Sequence, residues 1–467
     1  STGSLPKAAE APITRTCKSA CWLLAVGFLA AAVPAEAASE GGAAVNALVR
    51  ARLAEDAGDP AAALSALTSA ASAAPDLPGL RGRILEQAIQ AGDLVAARGA
   101  AAQLWASGER RFDAQLVLVV DAMKRADWKG ARAFLGGRPD KTGGDAIANL
   151  VTPALNSWID VGVREKAPER HLTAALARGR LEPTLALEAA LVRVAAKQPT
   201  EGAKLAADTV LSDRTSQLVA LRLAATLDAA GQADAAKALR GRTAMAAGGR
   251  EDPMLLLSGQ PVTTARGGAA HWLGLLADGL ARTPNGSPKL PLLFARAAYW
   301  LGDQDWAVRS ALVEALDRNG QERDAMALLA GSRTAQPAAL QMRHAELLAE
   351  AGDMASAVKL ADAAARTEPA ARSLLIRFAD IARRANDPAA AERAYLGLEA
   401  TLGDVADDAP LRGSLLIARA ELKLQAGDWD GAASLMEKAV NLRPGDATIL
   451  NFAGYSALER RKNVKQS

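Results

Sequence analysis

The chain has 467 residues, half of them apolar but only 4% aromatic, with 55 basic against 52 acidic side chains and a formal net charge of +3. Charges this evenly balanced and mixed along the chain exclude the concentrated basic face of a nucleic-acid binder. The length exceeds one ordinary globular core, and the apolar half owes its size to alanine rather than to bulky side chains.

In chain order, Arg15 and Lys18 precede an apolar run from Ala20 to Val33, and Ala35-Glu36-Ala37 follows with small residues. This is the layout of a secretory signal peptide cleaved after Ala37. The run is shorter than the roughly 18 residues of a spanning helix; an uncleaved inner-membrane anchor is the alternative. Both cysteines, Cys17 and Cys21, lie in this leader, so no disulfide framework is available to the mature chain. With two cysteines only, a Cys-x-x-x-Cys metal site lacks the ligands to complete four-fold coordination.

From residue 38 to 241 the sequence reads as a first block of helix pairs. Turns are expected at Gly58, Gly92 and Ala126-Asp127, spaced by 34 residues. After a Gly-rich loop at Gly136–Asp145 the register resumes at Val163, Lys197 and Gly231, although Lys197-Gln198-Pro199 lacks the Gly-Asp signal. Residues 242–268, with Gly248-Gly249, Pro253, Gly259 and Pro261, read as an irregular connection. A second block covers 269–467. Its turns fall at Asn285-Gly286, Asn319-Gly320, Gly352, Asn386 and Gly427, with Gly302-Asp303 lying between units. An acidic loop, Gly403–Pro410, lengthens the step from Asn386 to Gly427.

The unit Gly413–Asp446 shows why each repeat is two helices. Leu415, Leu416, Ile417, Ala420 and Leu422 give the first helix an apolar face at helical spacing. Gly427 suits the left-handed helix end and Asp428 the cap of the next helix. Ala432, Leu435, Met436, Ala439 and Val440 line the second helix, and Pro444 stops it. Alanine recurs at one place of the second helix: Ala63, Ala97, Ala131, Ala325, Ala357, Ala391 and Ala432. A small residue there implies two helices crossing closely. One such pair cannot bury its apolar face alone, so neighbours must stack.

On these residues the chain resembles the tetratricopeptide repeat family. The resemblance rests on Gly427-Asp428-Trp429, Ala432, Ala439 and Pro444, on Gly454 and Ala457 in the next unit, and on Gly58-Asp59, Ala63, Ala70 and Pro75. It is closest in style to the Ala-rich alphaproteobacterial members, which carry an element like Asn451–Ser456 with further repeats after it; a C-terminally truncated chain is therefore expected. The resemblance implies an all-α, right-handed α-solenoid of stacked helix–turn–helix repeats of period 34. It implies a curved rod whose first helices line a concave partner-binding surface.

Catalytic patterns are sparse. His171, His271 and His344 fall in different units and belong to no metal-binding motif, which reads as scattered surface or groove histidine. Lys141-Thr142 lacks the preceding glycine of a phosphate loop. No enzyme activity and no cofactor are expected. Trp272, Trp300 and Trp306 with Tyr299 read either as a ligand-stacking pocket or, more simply, as core at an irregular junction.

The candidate site is the lining of first helices. Their ninth places hold Glu314, Glu346, Asp380 and Glu421, then Tyr455, while Arg343 and Arg377 stand three residues before Glu346 and Asp380. Such an acidic ladder grips a basic or extended peptide through charge-assisted hydrogen bonds; the alternative is pairing within each helix, Arg343 with Glu346 and Arg377 with Asp380. The family's clamp for acidic tails needs Lys and Asn where Met342 and Glu346 stand, so that partner class is disfavoured. The expected role is an exported, periplasmic scaffold of the bacterial envelope binding protein or peptide. Alternatives are a periplasmic component of exopolysaccharide secretion and the repeat domain of a longer protein.

Overall fold

A computed structural model describes residues 40–137, 144–177, 182–247, 257, 259–331, 335–366, 371–403 and 406–459. The leader with its two cysteines, most of the loop 136–145, much of the connection 242–268 and the C-terminal basic run lie outside the described residues. Within them the chain is helical throughout, with no strand.

The helices run α1 (Glu40–Asp56), α2 (Pro60–Ala73), α3 (Leu80–Ala91), α4 (Leu94–Ala106), α5 (Phe112–Lys124) and α6 (Trp128–Leu135). Then come α7 (Gly144–Val163), α8 (Arg170–Leu176), α9 (Glu182–Ala195), α10 (Pro199–Ala207), α11 (Arg214–Ala229) and α12 (Ala233–Ala247). Beyond the connection follow α13 (Ala265–Ala281), α14 (Lys289–Leu301), α15 (Trp306–Arg318), α16 (Glu322–Ala330), α17 (Ala338–Glu350) and α18 (Met354–Ala365). The last are α19 (Arg372–Arg384), α20 (Pro388–Ala400), α21 (Ala409–Gln425), α22 (Trp429–Leu442) and α23 (Ala447–Glu459).

The expected turns are the places where the backbone goes left-handed. Gly58, Gly92, Gly231, Gly320, Gly352 and Gly427 all have positive φ, as do Ala126, Lys197 and Asn386, which are not glycine. The turn expected at Val163 falls one residue later, on Arg164 (φ 62°). After the turns at Gly58, Gly92, Ala126, Gly352, Asn386 and Gly427 an aspartate caps the second helix: Asp93 accepts from Ala96 N at 2.9 Å, Asp387 from Ala390 N at 2.9 Å, and Asp428 from Gly431 N at 3.0 Å. Gln198 and Gln321, after Lys197 and Gly320, make no such cap. The seven recurrent alanines are each no more than 1% exposed, as the close crossing in those seven units requires.

Stacking is not the whole architecture. From about residue 80 to 331 the array coils round until α14 packs against α3 and α5. Trp300 Nε1 donates to the Gly92 carbonyl at 3.1 Å, Arg296 Nη2 to the Gln90 carbonyl at 2.8 Å, and Lys124 Nζ to the Trp300 carbonyl at 3.0 Å. Gln321 Nε2 reaches the same Gln90 carbonyl at 3.2 Å, and Lys289 pairs with Glu86. Inside this turn, Arg222 of α11 donates to Asp305 and to the Gln260 carbonyl, both at 2.9 Å. One apolar core runs unbroken from Leu64 to Leu347. Because α12 reaches Ala247 and α13 starts at Ala265, the stretch expected as a connection over 242–268 is helical at both ends, and helices on either side share the core. A separate core, from Met342 to Leu415, serves α17 to α21. The curved rod expected from the repeats is thus open only in its C-terminal part. In the N-terminal part it closes on itself, because the helices curve far enough to bring non-neighbours into apolar contact.

Candidate partner-binding groove

In residues 338–459 the first helices of successive units are α17, α19 and α21; α17 packs on α19, and α19 and α21 share the lining of one cavity. The arginines do not serve mainly their own helices. Arg343 on α17 donates through Nε to Glu314 on α15 at 2.8 Å and through Nη2 to Asp317 at 2.6 Å. Its own-helix neighbours Glu346 and Glu350 lie farther off, at 3.6 and 3.8 Å. Arg377 on α19 repeats the arrangement one unit later, with Nη2 donating to Glu346 at 2.7 Å. Each arginine therefore bolts its first helix to the carboxylate of the preceding one.

The electrostatics follow. Burial alone lowers the affinity of Arg343 for its proton, but Glu314, Asp317 and Glu346 outweigh it and hold the guanidinium above its ordinary pKa. Between these rungs lies a cavity of about 490 Å³ lined by Asp278, Arg282, Glu314, Arg343, Glu346 and Arg377 among others. Arg343 with Glu314, Arg377 with Glu346 and Arg282 with Asp278 pair along its walls.

The free acidic ladder expected from the sequence needs correction on this point. Glu314 and Glu346 are engaged by Arg343 and Arg377, and the intrahelix alternative is present only as the longer Arg343–Glu346 contact. Asp380 and Glu421 differ: both are exposed, and neither has an ion pair among the described residues. They line a second cavity, of about 310 Å³, with Arg383, Arg384, Ala418 and Tyr395. Tyr455 is 65% exposed on α23, outside both cavities. Met342, at the clamp position, is fully buried.

Sequence reasoning missed Asp317, Tyr395 and Ala418. The signal was available: Arg343, Arg377 and Ala418 share one offset from the turns at Gly352, Asn386 and Gly427, as do Glu346, Asp380 and Glu421. Tyr395 comes from α20, and burial holds its phenol above the ordinary value.

The remaining expectations resolve as follows. Trp272 and Trp300 are buried, and the Trp300 indole closes the seam to Gly92, so these residues pack the core and frame no stacking pocket. His271 is buried, contrary to a surface placement, with Nε2 at 3.4 Å from a carboxylate oxygen of Glu188, whose other oxygen accepts from Trp158 Nε1 at 2.8 Å. His171 Nε2 lies 3.2 Å from buried Asp160, which also binds Arg132 and Arg170. These polar clusters join helices inside the closed part.

Among known proteins, no protein-family model matches the chain, and no curated protein matches it either. Solved structures do. Yeast Tom70 is 12% identical, with 90% of this chain and 96% of that chain covered at a TM-score of 0.30. The APC/C hetero-tetramer Cut9–Hcn1 is 12% identical, with 90% and 91% covered and a TM-score of 0.28. Naa15/Naa10 bound to HypK-THB is 14% identical, with 89% and 69% covered and a TM-score of 0.33. Superpositions this loose carry no assignment, and the architecture stands on the recurring turns, caps, alanines and stacked pairs. On those grounds the chain is an α-solenoid of tetratricopeptide-like helix pairs.

Proposed function

We propose that this chain is a non-catalytic scaffold that holds an extended protein segment along the first-helix lining of residues 338–459. The observation that carries the reading is the state of that lining: it holds a polar cavity with two exposed carboxylates, Asp380 and Glu421, that have no ion pair among the described residues. An extended segment can reach several successive first helices at once, and charge-assisted hydrogen bonds to such carboxylates give it register. The sequence Arg15–Ala37, with its basic start, apolar run and small-residue end, supports export to the bacterial envelope as the setting.

The test is capture from envelope extracts by the wild-type chain and by Asp380→Lys plus Glu421→Lys. The double variant is expected to lose specific protein partners while its melting temperature stays the same. An identical set of captured proteins contradicts the reading. For export, a phosphatase reporter fused after the leader is expected to be active outside the cytoplasm; an inactive reporter removes the envelope setting.

A further inference from the structure

The internal arginine rungs stop one unit before the carboxylates do. Arg343 reaches back to Glu314 and Arg377 reaches back to Glu346, each from the place nine residues before the left-handed turn of its own unit. The next unit turns at Gly427, and nine residues before it stands Ala418. Asp380, the carboxylate due to receive the third arginine, shares a cavity with the Ala418 methyl group instead. The space left over is the cavity of about 310 Å³ bounded by Asp380, Ala418, Glu421 and Tyr395.

The nearby cations do not fill it. Arg419, adjacent to Ala418, turns the other way, donating to Glu392 at 3.0 Å and to Glu399 at 2.6 Å. Arg383 and Arg384 line the same cavity, but they sit on the helix of Asp380 itself and neither makes an ion pair with it. A further observation points to a ligand. Tyr395 is only 6% exposed and lines the cavity, yet its hydroxyl has no hydrogen-bond partner among the described residues. The hydroxyl oxygen itself is not sealed from solvent, so it is free to accept from a donor entering the cavity.

We propose that this cavity takes the arginine side chain of an extended partner segment, its guanidinium standing where Arg343 and Arg377 stand in the two preceding units. This names the partner chemistry at the groove already assigned a scaffold role, and it rests on that reading. Arginine rather than lysine is the occupant because both internal rungs are guanidinium groups, and a planar fork can serve two carboxylates and a hydroxyl at once. Asp380 is one methylene shorter than the Glu314 and Glu346 that precede it, leaving more room for the incoming group.

The experiment is selection of phage-displayed random dodecapeptides on the full chain, followed by affinity measurement of the enriched peptides. Arginine is expected at one fixed position, and its replacement by citrulline is expected to weaken binding about tenfold or more. Ala418→Arg supplies the missing rung from within and is expected to abolish the arginine preference. Asp380→Asn and Glu421→Gln, both on exposed positions, are expected to weaken the same peptides and keep the test valid should Ala418→Arg misfold. Peptides that bind equally well to all three variants overturn the arginine slot while leaving the scaffold reading standing. Enrichment of acidic residues, drawn by Arg383 and Arg384, overturns the slot in the same way. No enrichment at all overturns both.

Discussion

The N-terminal and C-terminal parts of the molecule are built from the same unit but stabilised differently. In residues 80–331 the helices curve until α14 meets α3 and α5, and a single apolar core crosses the whole turn. In residues 338–459 each pair meets only its neighbours, and arginine–carboxylate rungs supplement a smaller apolar core. A repeat array is ordinarily a one-dimensional stack whose stability sums over adjacent pairs. Closing the turn adds contacts between segments some two hundred residues apart, and it also removes that part of the lining from use. The open part keeps its lining accessible because it lacks those contacts. On the proposed reading, structure and recognition are divided along the chain.

The largest expected effect comes from breaking the closed part. Trp158 is fully buried on α7, its indole donates to Glu188, and its ring leaves room only for glycine at position 268 of α13. Trp158→Ala is expected to cost about 3–5 kcal/mol, read in denaturant unfolding as a shift of the transition belonging to the closed part. The transition of residues 372–459 is expected to stay in place, since their apolar clusters share no residue with the core of the closed part, whereas α17 contributes Leu340 and Leu347 to it. A common shift of all signals contradicts the division.

The open part answers to its rungs. Arg343→Ala removes hydrogen bonds to Glu314 and Asp317 and is expected to cost about 1–2 kcal/mol, moderated by solvent screening of partners that remain part-exposed. Hydrogen exchange is expected to rise at the α15–α17 seam and not at the α3–α14 seam. The opposite pattern assigns the rung to the wrong part.

Acid sharpens the same contrast. Hydrogen bonds from Arg372, then the Gly403 N–H, hold Asp408 below its ordinary pKa. Its folded value therefore lies under its unfolded one, near 3.9. The stabilisation it contributes is complete above the unfolded value and is lost as pH falls through the folded value. Melting of residues 338–459 is expected to steepen with acid over that window, and Asp408→Asn to flatten the dependence. An unchanged slope in the variant removes Asp408 from the account.

The smallest effect is the most diagnostic of function. Asp380→Asn and Glu421→Gln break no internal ion pair and are expected to change stability by no more than about 0.5 kcal/mol. A melting temperature that falls further gives these carboxylates a structural duty after all.

Much of this was legible in the sequence, and the limits follow from the physics. Turn positions could be read because a left-handed residue every 34 places is a local requirement. Spacing located Ala126 and Lys197 even where residue type did not favour them, and it erred by one at Arg164. The recurrent alanines announced their burial for the same local reason. Closure was not legible: whether Trp300 reaches Gly92 depends on small rotations accumulated over many units, and no single residue records them. The site was half legible. Arg343 and Glu346 lie three residues apart and suggest a pair, but the nearer partners of Arg343 come from the preceding unit, which only the packing reveals.

The most direct test of the division is the separation of Glu86 and Lys289 in solution. Spin labels on cysteines at these two positions, with Cys17→Ser and Cys21→Ser as background, can be read by pulsed electron resonance. A closed turn predicts one short, narrow distance, held by the Trp300–Gly92 and Arg296–Gln90 hydrogen bonds even though the labels replace the Lys289–Glu86 pair. A long or broad distribution would show an open rod throughout and contradict the account.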